Sequence, residues 1–222
     1  MDFLEHLVRK SQISGGTTEY FNYRPPVKRK RNISQTSSTN APIYKSLNDT
    51  PLVSSYVVFD LETTGQSAGI NAIVEIGAVK VENNVVTDKF SQLVNPRQYI
   101  PGFLTEKIHI TNSMVSNAPY IEDVLPDFVS FINTLPLVAH NARFDMSFLL
   151  KSCADLNISI DNAVIDTLYL SRHHLKECSR HNLAYLTNFF NIDLKNAHRA
   201  YYDARATQQL FEIIKAHICA EQ

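Results

Sequence analysis

Residues 56–65 read Tyr56-Val57-Val58-Phe59-Asp60-Leu61-Glu62-Thr63-Thr64-Gly65, four apolar residues that run into two acids and end on a glycine. β-Branched and aromatic residues in series favour a buried strand. Side chains two apart on a strand leave the same sheet face, so Asp60 and Glu62 project together. Gly65 after two threonines lets the chain turn away at once. Like charges this close repel, and one must take up a proton unless a cation or a solvated cleft lies between them. Two readings stay open from this stretch alone: a strand end with two solvated acids, or an acid pair that works on a cation.

Working outward, Ala72 to Val81 and Val85 to Val94 are β-rich runs separated by Glu82-Asn83-Asn84. This pattern predicts a hairpin and, with the opening strand, a three-stranded antiparallel meander. Pro96 and Pro101 mark a loop, and Leu104 to Val115 reads as one or two helical turns. Tyr120 to Leu135 carries Ile121, Val124, Leu125, Phe128, Val129 and Ile132 at amphipathic-helix spacing, despite Pro126. Leu137 to His140 is a short apolar strand that passes into a helix over Asn141 to Asp155. A third acid, Asp145, falls in the first turns of that helix, where negative charge is favoured. Taken alone it satisfies helix geometry, with Asn141 as the cap. Val164 to Asp166 predicts another strand end, with Asp166 capping a helix over Thr167 to His174. His173, His174, Cys178 and His181 match no tight metal-site spacing. Finally, His198 precedes Asp203, which begins the terminal helix with Leu210, Ile213, Ile214 and Ile218 as its apolar stripe.

Length allows one good-sized domain plus a tail at 222 residues. Apolar residues are 44% of the chain and charged ones 19%, an ordinary globular balance. No apolar run is long enough for a membrane span and the first ten residues lack a signal-peptide core, so the expectation is a cytoplasmic protein with no membrane contact. Cys153, Cys178 and Cys219 are odd in number and show no C-x-x-C spacing, so they read as reduced thiols. The net charge of −1 is uneven: residues 1–50 carry eight Lys or Arg against four Asp or Glu, leaving −5 for the rest. This first stretch is rich in Ser, Thr, Asn and Pro and reads as a flexible extension, with a short helix over 1–10 and a basic run from Lys28 to Arg31. The folded domain is expected over 51–222. A basic arm can hold a phosphate backbone while an acidic centre holds metal.

Asp60-x-Glu62, Asn141-x-x-Phe144-Asp145 and His198-x-x-x-x-Asp203, in that order, resemble the three motifs of the DEDDh, or DnaQ-like, 3′-5′ exonuclease family. The resemblance covers roughly Ser55 to Ala216, and the domain resembles the exonuclease domain of the DNA polymerase III epsilon proofreading subunit. It implies an α/β, ribonuclease-H-like fold, with a central mixed β-sheet of about five strands flanked by helices. It implies that Asp60, Glu62, Asp145 and Asp203 bind two Mg2+ ions, with Mn2+ able to substitute, Asp60 bridging them and His198 acting as general base. The substrates implied are single-stranded nucleic acid 3′ ends, with DNA favoured over RNA by the wording F-D-L-E-T-T-G. RNA trimming and a non-catalytic adaptor role are the alternatives. A DNA polymerase or other replication or repair protein is the partner expected for the N-terminal extension. Thr63, Thr64, Gly65, Asn141 and Phe144 are candidate substrate contacts, with core packing the other reading for Phe144. Arg199 would reach a phosphate or simply be exposed. Around Ile108-His109-Ile110-Thr111 the chain departs from the family, whose members often carry glycine before Ile-Thr.

Overall fold

The strand expected from Tyr56 onward is β1 (Tyr56–Thr63), and it runs past both acids before the chain turns. A computed structural model describes residues 44–194 and 196–221 of the protein. The expected helix over 1–10 and the basic run from Lys28 to Arg31 lie outside the described residues. β2 (Ile73–Glu82) and β3 (Val85–Leu93) complete the antiparallel meander. Asn83 and Asn84 between them have φ of 52° and 63°, the two positive values of a type I′ hairpin turn. Asparagine tolerates this region, so the turn forms without the Asn-Gly pair that usually announces it. β4 (Leu137–Ala139) and β5 (Val164–Asp166) add in parallel, giving the order β3-β2-β1-β4-β5. This is the five-stranded mixed sheet the resemblance implied.

Helices cover both faces. α1 (Gly102–Ile108) and α2 (Asn112–Val115) follow the meander and close a small apolar cluster of Val74, Ile100, Ile108, Ile110 and Val115. α3 (Ile121–Ile132) and α4 (Ala142–Asp155) pack Phe128, Met146 and Phe148 onto Val57, Phe59 and Leu61 of β1. α5 (Thr167–His174), α6 (Leu183–Phe189) and α7 (Ala200–Ala220) pack Leu170, Leu186 and Phe211 onto Tyr56 and Val58 from the other side. Strand alternation therefore puts Asp60 and Glu62 on the α7 face. α6 was not singled out in the sequence, because its seven residues are too few to display a helical period. α7 starts at Ala200, three residues before the expected Asp203.

Residues 44–50, read from composition as part of the extension, lie along the sheet. Leu47 N–H donates to the Val164 carbonyl and Val164 N–H to the Lys45 carbonyl, each at 2.8 Å, and Asn48 Oδ1 accepts Asp166 N–H at 2.8 Å. An edge strand needs backbone partners rather than apolar side chains, so a polar stretch serves.

The approach of α7 to the sheet depends on one glycine. Gly77 pairs with Asp60 across β1 and β2, and a Cβ there would lie 2.1 Å from the Ala200 carbonyl carbon and the Tyr201 nitrogen. Gly77→Ala is expected to cost about 1–3 kcal/mol, the usual range for overpacking. Gly69→Ala, at a site open to at least 4 Å, is the control in thermal melts. Equal melting temperatures for the two variants would show that helix packing is not what Gly77 serves.

Candidate active site

Four acids from three helices and strands converge at the end of β1. Asp60 and Glu62 come from the strand itself. Asp145, buried in the first turn of α4, accepts Leu61 N–H at 3.1 Å, which fixes it against the backbone between the other two. Asp203, buried in the first turn of α7, accepts His198 N–H on Oδ2 at 3.0 Å. Glu62, His198 and Asp203 each offer a ligand atom, and these atoms lie within 4.8 Å of one another. The other oxygen, Asp203 Oδ1, is buried and has no hydrogen-bond partner among the described residues.

The electrostatics follow from that crowding. Burial, and then the neighbouring carboxylates, raise the Asp60 carboxyl well above its ordinary range. Burial first, then Asp203 and Glu75, push Glu62 up to about 8. Burial likewise takes Asp145 to about 8 and Asp203 to about 6, against the hydrogen bonds each accepts. The His198 imidazole moves the other way, lowered by partial shielding from water and then by Lys107 and His109. A set of hard oxygen donors that repel one another, with one buried oxygen lacking a donor, fits a divalent cation.

Glu75 is the residue that sequence reasoning missed. It lies opposite Glu62 in the β1–β2 register and is 1% exposed. Its carboxylate accepts from Arg199 Nε and Nη2, at 2.8 Å for the shortest, and from Ala200 N–H at 3.0 Å. Arg199 is thus ion-paired rather than free for a phosphate, which corrects both readings made of it. Glu75 also explains the early start of α7, since a carboxylate on the first helical N–H satisfies an orphan donor and favours the helix dipole. An acid inside the apolar run Ile73 to Ala78, on the parity that faces Glu62, was the only signal available.

Of the candidate substrate contacts, Thr63, Gly65, Asn141 and Phe144 line one cleft of about 410 Å³ with Leu61, Glu62, Gln66, Leu104, Lys107 and Ile108. Thr64 is buried elsewhere: its hydroxyl donates to Gln98 Oε1 at 2.8 Å and accepts Ala72 N–H at 3.0 Å, so it anchors the loop. Phe144 packs against Phe148, ring centroids 5.2 Å apart, and also lines the cleft. Asn141 does not cap α4 with its side chain; it sits at φ 69° and its N–H donates to Asp166 Oδ1 at 3.0 Å. Asp166 caps α5 as expected, accepting Leu168 N–H at 2.9 Å. The sheet order thus brings the three motifs together, and the cap on α5 also holds the entry to α4.

Comparison with known proteins shows the family and the fold. The RNase_T exonuclease family model matches residues 57–211. The chain is 44% identical over 170 residues to a PolC-type DNA polymerase III from Caldanaerobacter subterraneus subsp. tengcongensis, and 41% over 173 residues to one from Staphylococcus aureus. In each case 77% of this chain is covered, and it spans 12% of the relative's length. Among solved structures it is similar to Exonuclease X in complex with 5′ overhanging duplex DNA, 29% identical with a TM-score of 0.60 over 72% of this chain and 90% of that one. The nuclease domain of 3′hExo, a DEDDh family member bound to rAMP, shares the fold at 16% identity and a TM-score of 0.64, over 74% and 94% of the two chains. No helix among the described residues is long and apolar enough to cross a membrane.

The raised carboxyls have a consequence for stability. Between the ordinary 4.5 of Glu62 and its folded value of about 8, the folded chain holds a proton that the unfolded chain has released. Stability from this group is therefore lost as pH rises through that window. His140, pushed down to about 4 from 6.5 by burial, acts in the opposite sense below pH 6.5, so the difference between wild type and Glu62→Gln is the quantity to read. In chelator the melting temperature of wild type is expected to drop below that of Glu62→Gln as pH rises from 5 to 8, and divalent cation to restore wild type only. Parallel profiles would refute the crowding account.

Proposed function

The chain belongs to the RNase_T exonuclease family, and on that premise we propose that it is a divalent-metal-dependent 3′-5′ exonuclease acting on DNA 3′ ends. It releases nucleoside 5′-monophosphates one at a time. The observation that carries this reading is the cluster of Glu62, His198 and Asp203, with a buried Asp203 oxygen that no donor among the described residues satisfies, and with Asp60 and Asp145 near enough to interact with these acids. The four carboxylates would hold two Mg2+ ions, for which Mn2+ substitutes. Bound there, the ions supply positive charge to the phosphate and lower the pKa of water.

The chain's own residues supply the rest. His198 sits at φ 64° on the loop before α7, its N–H tied to Asp203, so the backbone of the base is held by one of the acids it serves. Its lowered pKa keeps the imidazole neutral at pH 7, the state that accepts a proton from an attacking water. The cleft of Thr63, Gly65, Asn141, Leu104 and Phe144 takes the terminal nucleoside. Stacking of a base on an aromatic ring is worth about 1–3 kcal/mol and tolerates any base. The PolC-type DNA polymerase III relatives, and the DNA in the Exonuclease X structure, support DNA over RNA and a proofreading or repair role. Docking of the N-terminal extension on a DNA polymerase or another replication or repair protein rests on its basic composition alone.

With Mg2+, single-stranded DNA labelled at its 5′ end is expected to shorten as a ladder from the 3′ end, with no ladder in chelator or in Asp60→Ala. His198→Ala should slow turnover by roughly 10²–10⁴-fold, the weight of general acid–base catalysis. Faster cutting of RNA would transfer the reading to RNA trimming, and binding of DNA without cleavage would favour the adaptor.

A further inference from the structure

The last turn of α1 borders both sides of the site. Lys107 lines the nucleoside cleft beside Leu104 and Ile108. Two residues on, His109 lines a second cleft of about 390 Å³ with Asn196, Ala197, His198, Arg199 and Tyr202. His198 and Glu62, whose ligand atoms lie within 4.8 Å of each other, belong to the second and the first cleft respectively. Lys107 and His109 thus each line a cleft that also holds one member of the Glu62–His198–Asp203 cluster. Their fields reach it: Lys107 acts on Glu62 and on His198, and His109 on His198.

His109 is an unusual residue to find there. It closes α1 at φ 56°, ψ 25°, and the left-handed region costs a residue with a β-carbon about 1–2 kcal/mol. Glycine avoids that cost and asparagine much of it. Burial does not offset it, because the ring is exposed. Neither the exposed His109 nor the exposed Lys107 makes a side-chain hydrogen bond or ion pair among the described residues, and the groups they act on are Glu62 and His198 of the site. Arg199, the other cation of this rim, is taken up by Glu75. Two donors without hydrogen-bond partners among the described residues, lining two clefts that each hold a member of the Glu62–His198–Asp203 cluster, are suited to an anion that sits between them.

We propose that Lys107 and His109 clamp the phosphate of the terminal nucleotide: the scissile phosphate while the strand is bound, and the 5′-phosphate of the product before it leaves. The inference rests on the exonuclease reading and adds to it a phosphate subsite supplied by α1. The released monophosphate carries more negative charge than the diester it came from, so the clamp grips the product more firmly than the substrate.

The test uses the full chain with Mg2+ and two inhibitors of DNA cleavage, deoxyadenosine 5′-monophosphate and deoxyadenosine. Lys107→Gln removes one donor, and His109→Asn removes the other while keeping a residue that tolerates the left-handed backbone. Each variant is expected to raise the inhibition constant of the monophosphate about tenfold, the weight of one charge-assisted hydrogen bond, and to leave that of deoxyadenosine unchanged; the melting temperature should hold in Lys107→Gln and hold or rise in His109→Asn, where the left-handed backbone is eased. An unchanged monophosphate constant in either variant overturns the two-point clamp, as does equal weakening of both inhibitors, which would mark a structural role for the turn. Wild type that does not cleave DNA fells the exonuclease reading and the clamp with it; wild type that cleaves beside unaltered variants fells the clamp alone.

Discussion

Repulsion among four carboxylates at one end of β1 is the constraint around which this structure is arranged. Asp60, Glu62, Asp145 and Asp203 each have the carboxyl pushed upward, first by burial and for most of them by one another. Arg199 feels Glu62 but gives its hydrogen bonds to Glu75, so it pairs with none of the four. The fold therefore holds a site whose charge is left for an added cation. A buried acid cluster is a poor contribution to stability and a good one to divalent binding.

Holding such a cluster requires rigid attachments that are not themselves acid neutralisers, and the chain has three. Asp145 is tied to Leu61 N–H, Asp203 to His198 N–H, and the start of α7 to Glu75 through Ala200 N–H. Gly77 lets α7 come down onto β2 at the residue that pairs with Asp60. Two of these four devices, Glu75 and Gly77, lie on β2, so the middle strand of the meander sets where the last helix begins and hence where Asp203 and His198 stand. Function here depends on a hairpin that carries none of the motif residues.

Much of this was legible in the chain itself. The strand run before Asp60, the helix after Asn141 and the stripe of the terminal helix are local patterns, and each survives into the fold because nothing tertiary opposes it. What escaped was what register or hydrogen bonding decides. Glu75 matters because it faces Glu62 across two strands, which no local period reveals. Thr64 looks like a free hydroxyl beside a motif, yet Gln98 and Ala72 occupy it. Asn141 looks like a cap but is itself held by Asp166, a residue 25 positions away. Residues 44–50 look like linker since their contribution is backbone pairing with β5, to which composition is blind. His109, by contrast, announced itself as a departure from the family, and its left-handed backbone shows why glycine is the easier occupant.

The most direct test of the account is proton release on divalent-cation binding, read by titration calorimetry at pH 7 in buffers of different ionisation enthalpy. Glu62 and Asp145, both near 8 in the cation-free chain, should surrender protons as the ion binds, about one or more per site. Asp203→Asn should weaken binding sharply. Binding without proton release, or with equal strength in Asp203→Asn, would show that the carboxylate cluster is not where the cation goes.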